Sequence, residues 1–141
     1  MIASISKTFD ATIPFLRSRS LSDDLTGTLP VVRDAIQRLK LSPKSIICCI
    51  YPVTPLTTYK TLKKAYRLFK TSKCSFLFPV LKINKKKKDS FQLSEKKIIQ
   101  KTNKSKNYYV DAGQFYFGSV KNFLKKKSLH FSGSSRGMII S

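Results

Sequence analysis

Apolar positions fall first at helical spacing and then, further along, in short continuous runs. Ile2, Ala3, Ile5 and Phe9 fit one face of a short helix. Ala11 to Leu16 reads as a strand, which Pro14 keeps short or at an edge because proline cannot donate to a ladder. Arg17 to Thr28 is polar and turn-rich. Thr28 suits a helix N-cap, and Pro30 stands near the helix start, where its missing N–H is not needed. Val32, Ile36 and Leu39 then form the buried face of a helix predicted to run to Lys40. Ile46 to Ile50 is an unbroken apolar run, predicting a strand buried on both faces, and Pro52 and Pro55 end it in a stiff turn. Thr57 to Lys70 returns to helical spacing. Leu62, Ala65, Tyr66 and Phe69 are predicted inward, with Lys60, Lys63, Lys64 and Arg67 outward. Ser75 to Ile83 is the next predicted strand.

This alternation of helix and strand predicts a parallel sheet covered by helices. The pattern then changes. Asn84 to Asn107 is polar and Lys-rich, with Phe91, Leu93, Ile98 and Ile99 as apolar anchors, and reads as a weak hairpin or arm. Phe115 to Phe117 is a strand and Val120 to Lys126 a short helix. A Ser-Gly-Ser-Ser-Arg-Gly loop precedes Met138, Ile139 and Ile140, which read as another strand. One domain over 1–141 is expected, with 84–107 as a Lys-rich arm or insertion.

With 141 residues, 41% of them hydrophobic, the chain can bury a core. No apolar run approaches the roughly 20 residues of a membrane helix, and the start lacks a charged segment followed by an apolar block, so a soluble cytoplasmic protein is expected. The net charge is +21. Of the 28 basic residues 22 are Lys and 6 Arg, and the lysine runs at 85–88 and 125–127 read as solvated loops or helix ends. Arginine is the usual bidentate reader of phosphates and bases, so its scarcity weighs against nucleic acid as the partner. Cys48, Cys49 and Cys74 have no zinc-ligand spacing, and His130 is the single histidine. Core thiols in a reducing compartment are expected, and no protein-held metal. The Tyr-Pro-Val-Thr-Pro turn follows a strand end, the place where open α/β sheets bind ligands. An ordinary connecting turn fits the same residues.

Three segments together resemble the acylneuraminate cytidylyltransferases, closest to the branch that acts on pseudaminic acid. They are Ile13 to Val31, with Leu-Ser-Asp-Asp-Leu-Thr-Gly-Thr-Leu-Pro-Val at its end; Cys48 to Leu56, Cys-Cys-Ile-Tyr-Pro-Val-Thr-Pro-Leu; and Asp111 to Gly118, Asp-Ala-Gly-Gln-Phe-Tyr-Phe-Gly, followed by Ser135-Arg136-Gly137. The third is the most specific. The resemblance implies an α/β fold: a partial Rossmann-like nucleotidyltransferase sheet with helices on both faces, lacking the first βαβ unit. It implies CTP and an acidic nine-carbon sugar as partners, a CMP-sugar for surface glycans and pyrophosphate as products, and it allows a homodimer. No membrane partner is implied. Arg17, Asp24 and Thr28 fall on the nucleotide side. Tyr51, Thr54, Pro55, Asp111, Gly113, Gln114, Ser135 and Arg136 fall on the sugar side. Each has a plainer reading beside this one: Arg17 as a surface arginine, Thr28 as a helix cap, Asp111 as a turn former.

The family's phosphate-cradling loop of the type Pro-Ala-Arg-x-Gly-Ser-Lys and its Asp-x-Asp pair have no counterpart among these residues. The arginine-containing stretch expected after Phe78-Pro79-Val80 has no clear one. The family resemblance implies Mg²⁺, with its ligands not among these residues. Asp23 and Asp24 are a weak metal pair. No catalytic residue is assigned, and this chain alone is expected not to catalyse the transfer. A basic protein that binds nucleic acid or another polyanion through Lys82 to Lys106 is the alternative. Loss of a central first strand would also uncover an edge of the strand at Ile46 to Ile50 and lower stability.

Overall fold

The computed structural model describes residues 2–101 and 107–140. Positions 102–106 of the Lys-rich stretch lie outside the described residues. The chain forms two compact units, which meet in sequence between Leu41 and Ser42.

The first unit holds helix α1 (Ile2–Thr8), a 3-10 turn (Arg19–Leu21) and helix α2 (Thr28–Arg38). Residues 11–16 carry no regular structure, contrary to the predicted strand. Among the described residues the unit has no strand to pair with, and Pro14 removes a donor. Ile2, Ile5 and Phe9 are all exposed, so the apolar stripe of α1 is not a core face. The N-cap of α2 is Gly27, and Thr28 is its first helical residue rather than the cap. Val32 and Ile36 are buried as expected, whereas Leu39 is the C-cap and 43% exposed. The end of α2 explains this. Lys40 has φ 48°, its N–H donates to Gln37 O, and the Leu41 N–H donates to Ile36 O, a Schellman termination that turns the chain away two residues early.

The second unit is built on a five-stranded sheet of β1 (Ile46–Ile50), β2 (Phe76–Ile83), β5 (Tyr108–Asp111), β6 (Phe115–Ser119) and β7 (Arg136–Ile139). β3 (Gln92–Leu93) and β4 (Ile99–Gln100) make a separate small hairpin. Helix α3 (Tyr59–Thr71) joins β1 to β2, and helix α4 (Val120–Lys125) follows β6. The fold is mixed α/β. It is not the parallel sheet that the alternation predicts: β1–β6, β2–β5 and β2–β6 are antiparallel, and only β2–β7 is parallel. The physical reason lies in β6. It is antiparallel to both β1 and β2, so those two run the same way, as a crossover through α3 requires, but with β6 between them.

β1 is the outer strand of the sheet, and this overturns its expected burial on both faces. Its residues are half-buried and Ile50 is 49% exposed. α3 starts at the Thr58 N-cap, whose Oγ1 accepts from the Thr61 N–H at 3.2 Å. Ala65 and Phe69 are buried, while Tyr66 stays 43% exposed with its ring 6.1 Å from that of Phe117. α3 covers one face of the sheet, where Ala65, Phe69, Leu77, Phe115, Phe117 and Met138 form one apolar cluster.

Alternation along the strands sends Phe76, Phe78, Tyr116 and Gly118 to the other face. α4 packs there: the Phe76 and Phe123 rings meet edge-on at 5.1 Å. Gly118 is needed for that closeness, since a Cβ would stand 2.7 Å from the Phe76 ring. The β3–β4 hairpin is tied to the sheet by bridges from Phe91 to Tyr109 and from Ile98 to Arg136. The described part of the predicted arm is therefore folded, with Phe91, Leu93 and Ile99 buried. Among the described residues no helix is long and apolar enough to cross a membrane.

Candidate functional site

The face of the sheet opposite α3 carries a polar cluster in an aromatic setting. β5 ends at Asp111, and the chain turns through Gly113, whose φ of 61° is accessible to glycine at low cost. The Gly113 N–H donates to Asp111 Oδ1 at 2.8 Å. The Tyr116 hydroxyl donates to Asp111 Oδ2 at 2.5 Å, and His130 Nε2 donates to the same oxygen at 2.5 Å. A carboxylate only accepts, so Nε2 carries a proton. Burial first, then the hydrogen bond and charge of Asp111, then Tyr51, push the Tyr116 phenol far above its ordinary range. It therefore stays protonated and donates.

His130 is fixed on several sides. Its ring stands edge-on to Phe78 at 5.0 Å and lies 6.1 Å from Phe91. Behind it, the buried Ser135 Oγ donates to Leu129 O and bonds Ser132 Oγ at 2.7 Å, pinning the loop that presents the imidazole. Beside this cluster lies a cavity of about 400 Å³, lined by Lys88, Asp89, Phe91, Asp111, His130 and Phe131 among others. That volume is within the range of small-molecule sites.

The turn after β1 joins the same assembly. The Tyr51 N–H donates to Gln114 O at 2.9 Å, and the Tyr51 ring lies 5.6 Å from that of Tyr116. Thr54 Oγ1 donates to Tyr51 O at 2.7 Å and holds the turn closed. Thr57 Oγ1 donates to Gln114 Oε1 at 3.2 Å. Pro55 is exposed on the turn. Tyr51, Thr54, Asp111, Gly113 and Gln114, read separately from the sequence, are thus one connected structure.

Ser135 and Arg136 part company. Ser135 serves the His130 loop. Arg136 lies two residues before Met138, which packs in the cluster under α3, so its side chain points to the face away from Asp111. Its charge acts on Cys74 there, and its Nε is buried with no hydrogen-bond partner among the described residues. Arg17, Asp24 and Thr28 belong to the first unit. Arg17 and Asp24 are exposed, and Thr28 is half-buried at the start of α2. In that acidic pair it is Asp23 that organises the loop: its Oδ1 accepts from the Leu25 and Thr26 N–H groups, at 2.8 and 2.6 Å.

Sequence reading missed Tyr116, Thr57 and above all His130 as site residues. Tyr116 stood inside a quoted motif. The only mark on His130 was its being the single histidine, set between Leu129 and Phe131.

No family model matches the chain. It is similar to the pseudaminic acid cytidylyltransferase of Campylobacter jejuni serotype O:2, 32% identical over 136 residues, which cover 89% of this chain and 59% of the relative. The protein of the same name from C. jejuni serotype O:23/36 is 31% identical over the same shares. A longer Helicobacter pylori protein, named pseudaminic acid cytidylyltransferase and UDP-2,4-diacetamido-2,4,6-trideoxy-beta-L-altropyranose hydrolase, is 28% identical over 145 residues, 97% of this chain and 28% of that one. The chain thus spans 59% of the length of its Campylobacter relatives.

Proposed function

We propose, from the premise that the chain is a sequence relative of the pseudaminic acid cytidylyltransferases, that its second unit forms the acceptor-sugar side of a CMP-sugar synthetase. In the reaction a hydroxyl of the acidic sugar attacks the α-phosphorus of CTP. An O–P bond forms, the bond to the leaving oxygen breaks, and pyrophosphate departs. The observation that carries the reading is the continuous set of contacts Tyr51–Tyr116–Asp111–His130 beside a cavity of about 400 Å³. It joins two of the motifs that suggested the sugar side.

Each residue has work that suits sugar binding. Asp111 takes three donors and locks the Tyr116 hydroxyl and the His130 ring in place. Gln114, held by Tyr51 and Thr57, fixes the turn. Phe131, which is exposed, offers apolar surface to the carbon skeleton of a sugar. Arg17, Asp24 and Thr28 are the proposed nucleotide side. Transfer also needs donors that clamp the leaving phosphates and neutralise their charge. Among the described residues no three His, Cys, Asp or Glu side chains gather to hold a metal ion.

The test pairs binding with turnover. The 141-residue chain should bind pseudaminic acid in calorimetry. CMP-sugar should form, with CTP and Mg²⁺ supplied, once the chain is joined to the flanking segments of the C. jejuni relative. Turnover by the 141 residues alone would overturn the need for further donor-side groups. Failure of both proteins to bind the sugar would overturn the acceptor-side reading.

One observation favours a second reading, a surface for polyanions. Lys60, Lys63, Lys64 and Arg67 lie exposed at i, i+3, i+4 and i+7 of α3. Nucleic-acid binding that weakens steeply with salt, and that is lost when these four are neutralised, would support it.

A further inference from the structure

The outward face of α3 carries cations and tyrosines and nothing acidic. Lys60, Lys63, Lys64, Arg67 and Lys70 are exposed, and the helix contains no Asp or Glu. Among the described residues none of these cations forms a salt bridge, and the first four line one open hollow. Lys60 with Lys64, and Lys63 with Arg67, are like charges at i, i+4, a spacing that weakens a helix and that a bound anion would offset. The second unit offers little counter-charge of its own. Beyond residue 41 the acidic residues are Asp89, Glu95 and Asp111, and Asp111 is taken by Tyr116 and His130. Two tyrosines stand among the cations. Tyr59 is 72% exposed and Tyr66 43%, and their i, i+7 spacing puts them on one side of the helix. Lys63 Nζ lies over the Tyr59 ring, 5.5 Å from its centre. The Tyr66 ring lies 6.1 Å from that of Phe117. The aliphatic side chains and Phe69 of α3 are spent on the sheet: Leu62, Ala65, Leu68 and Phe69 all pack in the cluster beneath it. The exposed face therefore lacks the apolar stripe with which a helix enters a lipid surface.

We infer that α3 binds single-stranded nucleic acid, with its lysines and Arg67 following the phosphates and Tyr59 and Tyr66 stacking against bases. Aromatic rings set in a cationic track are the means by which a strand is held without reading its sequence, because every base has a π-face. In a duplex those faces are hidden in the stack, so the tyrosines favour the single strand. Four of the five cations are lysines, which meet a phosphate as point charges and not as the planar fork that reads bases. The partner is thus bound through its backbone and its unstacked bases. The inference rests on the polyanion reading of α3 and adds to it the class of partner and the side chains that select it.

The experiment is fluorescence anisotropy of the 141-residue chain with a labelled oligothymidylate and with a duplex of the same length, over a series of salt concentrations, beside sedimentation with phosphatidylserine vesicles. The strand should bind about tenfold more tightly than the duplex at a given salt concentration. Its log K should fall with log salt at a slope of about −3, about 0.7 for each phosphate contact. Tyr59→Ala, at an exposed ring, should weaken the strand about tenfold and leave both the duplex and the salt slope as they were. Lys60→Gln combined with Lys64→Gln should make the slope shallower by about 1.4. Equal binding of strand and duplex, or an unchanged affinity of Tyr59→Ala for the strand, would overturn this inference and leave the polyanion reading standing. Binding to the vesicles with neither nucleic acid bound would overturn it in favour of a lipid surface. A slope unmoved by the lysine pair, or no binding to any of the three, would overturn both.

Discussion

Both faces of the sheet carry aromatic residues, and they differ in what closes them. On one face α3 lays thirteen residues across β2 and β6, and Phe69, Phe117, Leu77 and Met138 interlock beneath it. On the other face α4 is only six residues long and covers Phe76 and Gly118. The rest of that face is closed by the β3–β4 hairpin and the 126–135 loop. A continuous helix fills the space over a sheet, whereas short irregular segments leave gaps. The cavity, with the linked Asp111, Tyr116 and His130, is on the irregularly closed face. Packing has gone to the α3 side and chemistry to the other.

Substitutions on the two faces should therefore separate stability from binding. The largest effect is expected from Phe117→Ala under α3. Removing a ring that is 5% exposed should cost about 3–5 kcal/mol in chemical denaturation. Gly118→Val comes next, on the opposite face. Its Cβ would enter the Phe76–Phe123 pair, for a loss of about 1–3 kcal/mol by the same measurement, with sugar binding weakened only as far as the fold is. Asp111→Ala should cost about 1–3 kcal/mol, because the buried Tyr116 hydroxyl loses its acceptor. Unlike the other two it should abolish pseudaminic acid binding even where the protein remains folded. If Phe117→Ala and Asp111→Ala impaired binding in proportion to stability alone, the contrast between the faces would fail.

A smaller test reads the α3 face through its thiol. Burial pushes the Cys48 thiol up to about 12 from 9.0, with Cys49 adding to it. Cys48 packs against the α3 cluster and should have about a thousandfold less thiolate than an unperturbed cysteine, seen as slow alkylation at pH 8. The sign for stability follows. The folded chain favours the neutral thiol, so this contribution is fully present below about pH 9 and is lost as pH rises from there toward 12. Thermal melts over that interval should fall more steeply for the native protein than for Cys48→Ala. The smallest effect is expected in the first unit. Leu25→Ala, at a side chain 95% exposed in the first unit, should change stability by no more than about 0.5 kcal/mol.

Much of this molecule was legible in the order of its residues. The 3.6-residue period located α2 and α3, the run Ile46–Ile50 located β1, and Phe76–Ile83 was found to within one residue. These are local matters: period, capping and the stops set by Pro52 and Pro55 act within a few neighbours. The motifs that carry the family resemblance put Tyr51, Asp111 and Gln114 forward together, and the fold joins them through the Tyr51–Gln114 hydrogen bond and the Tyr51–Tyr116–Asp111 contacts. What the sequence could not decide is who pairs with whom. β6 sits between β1 and β2 although it comes after both, and this made an expected parallel sheet mostly antiparallel and left β1 at the edge. The same long-range choice placed His130 against Asp111 and Arg136 on the opposite face. Strand pairing depends on contacts between residues far apart in the chain, and no local pattern encodes them. The sequence determined the elements and the chemistry each could carry; the tertiary structure decided which side chains share a face, and hence where a ligand can be held.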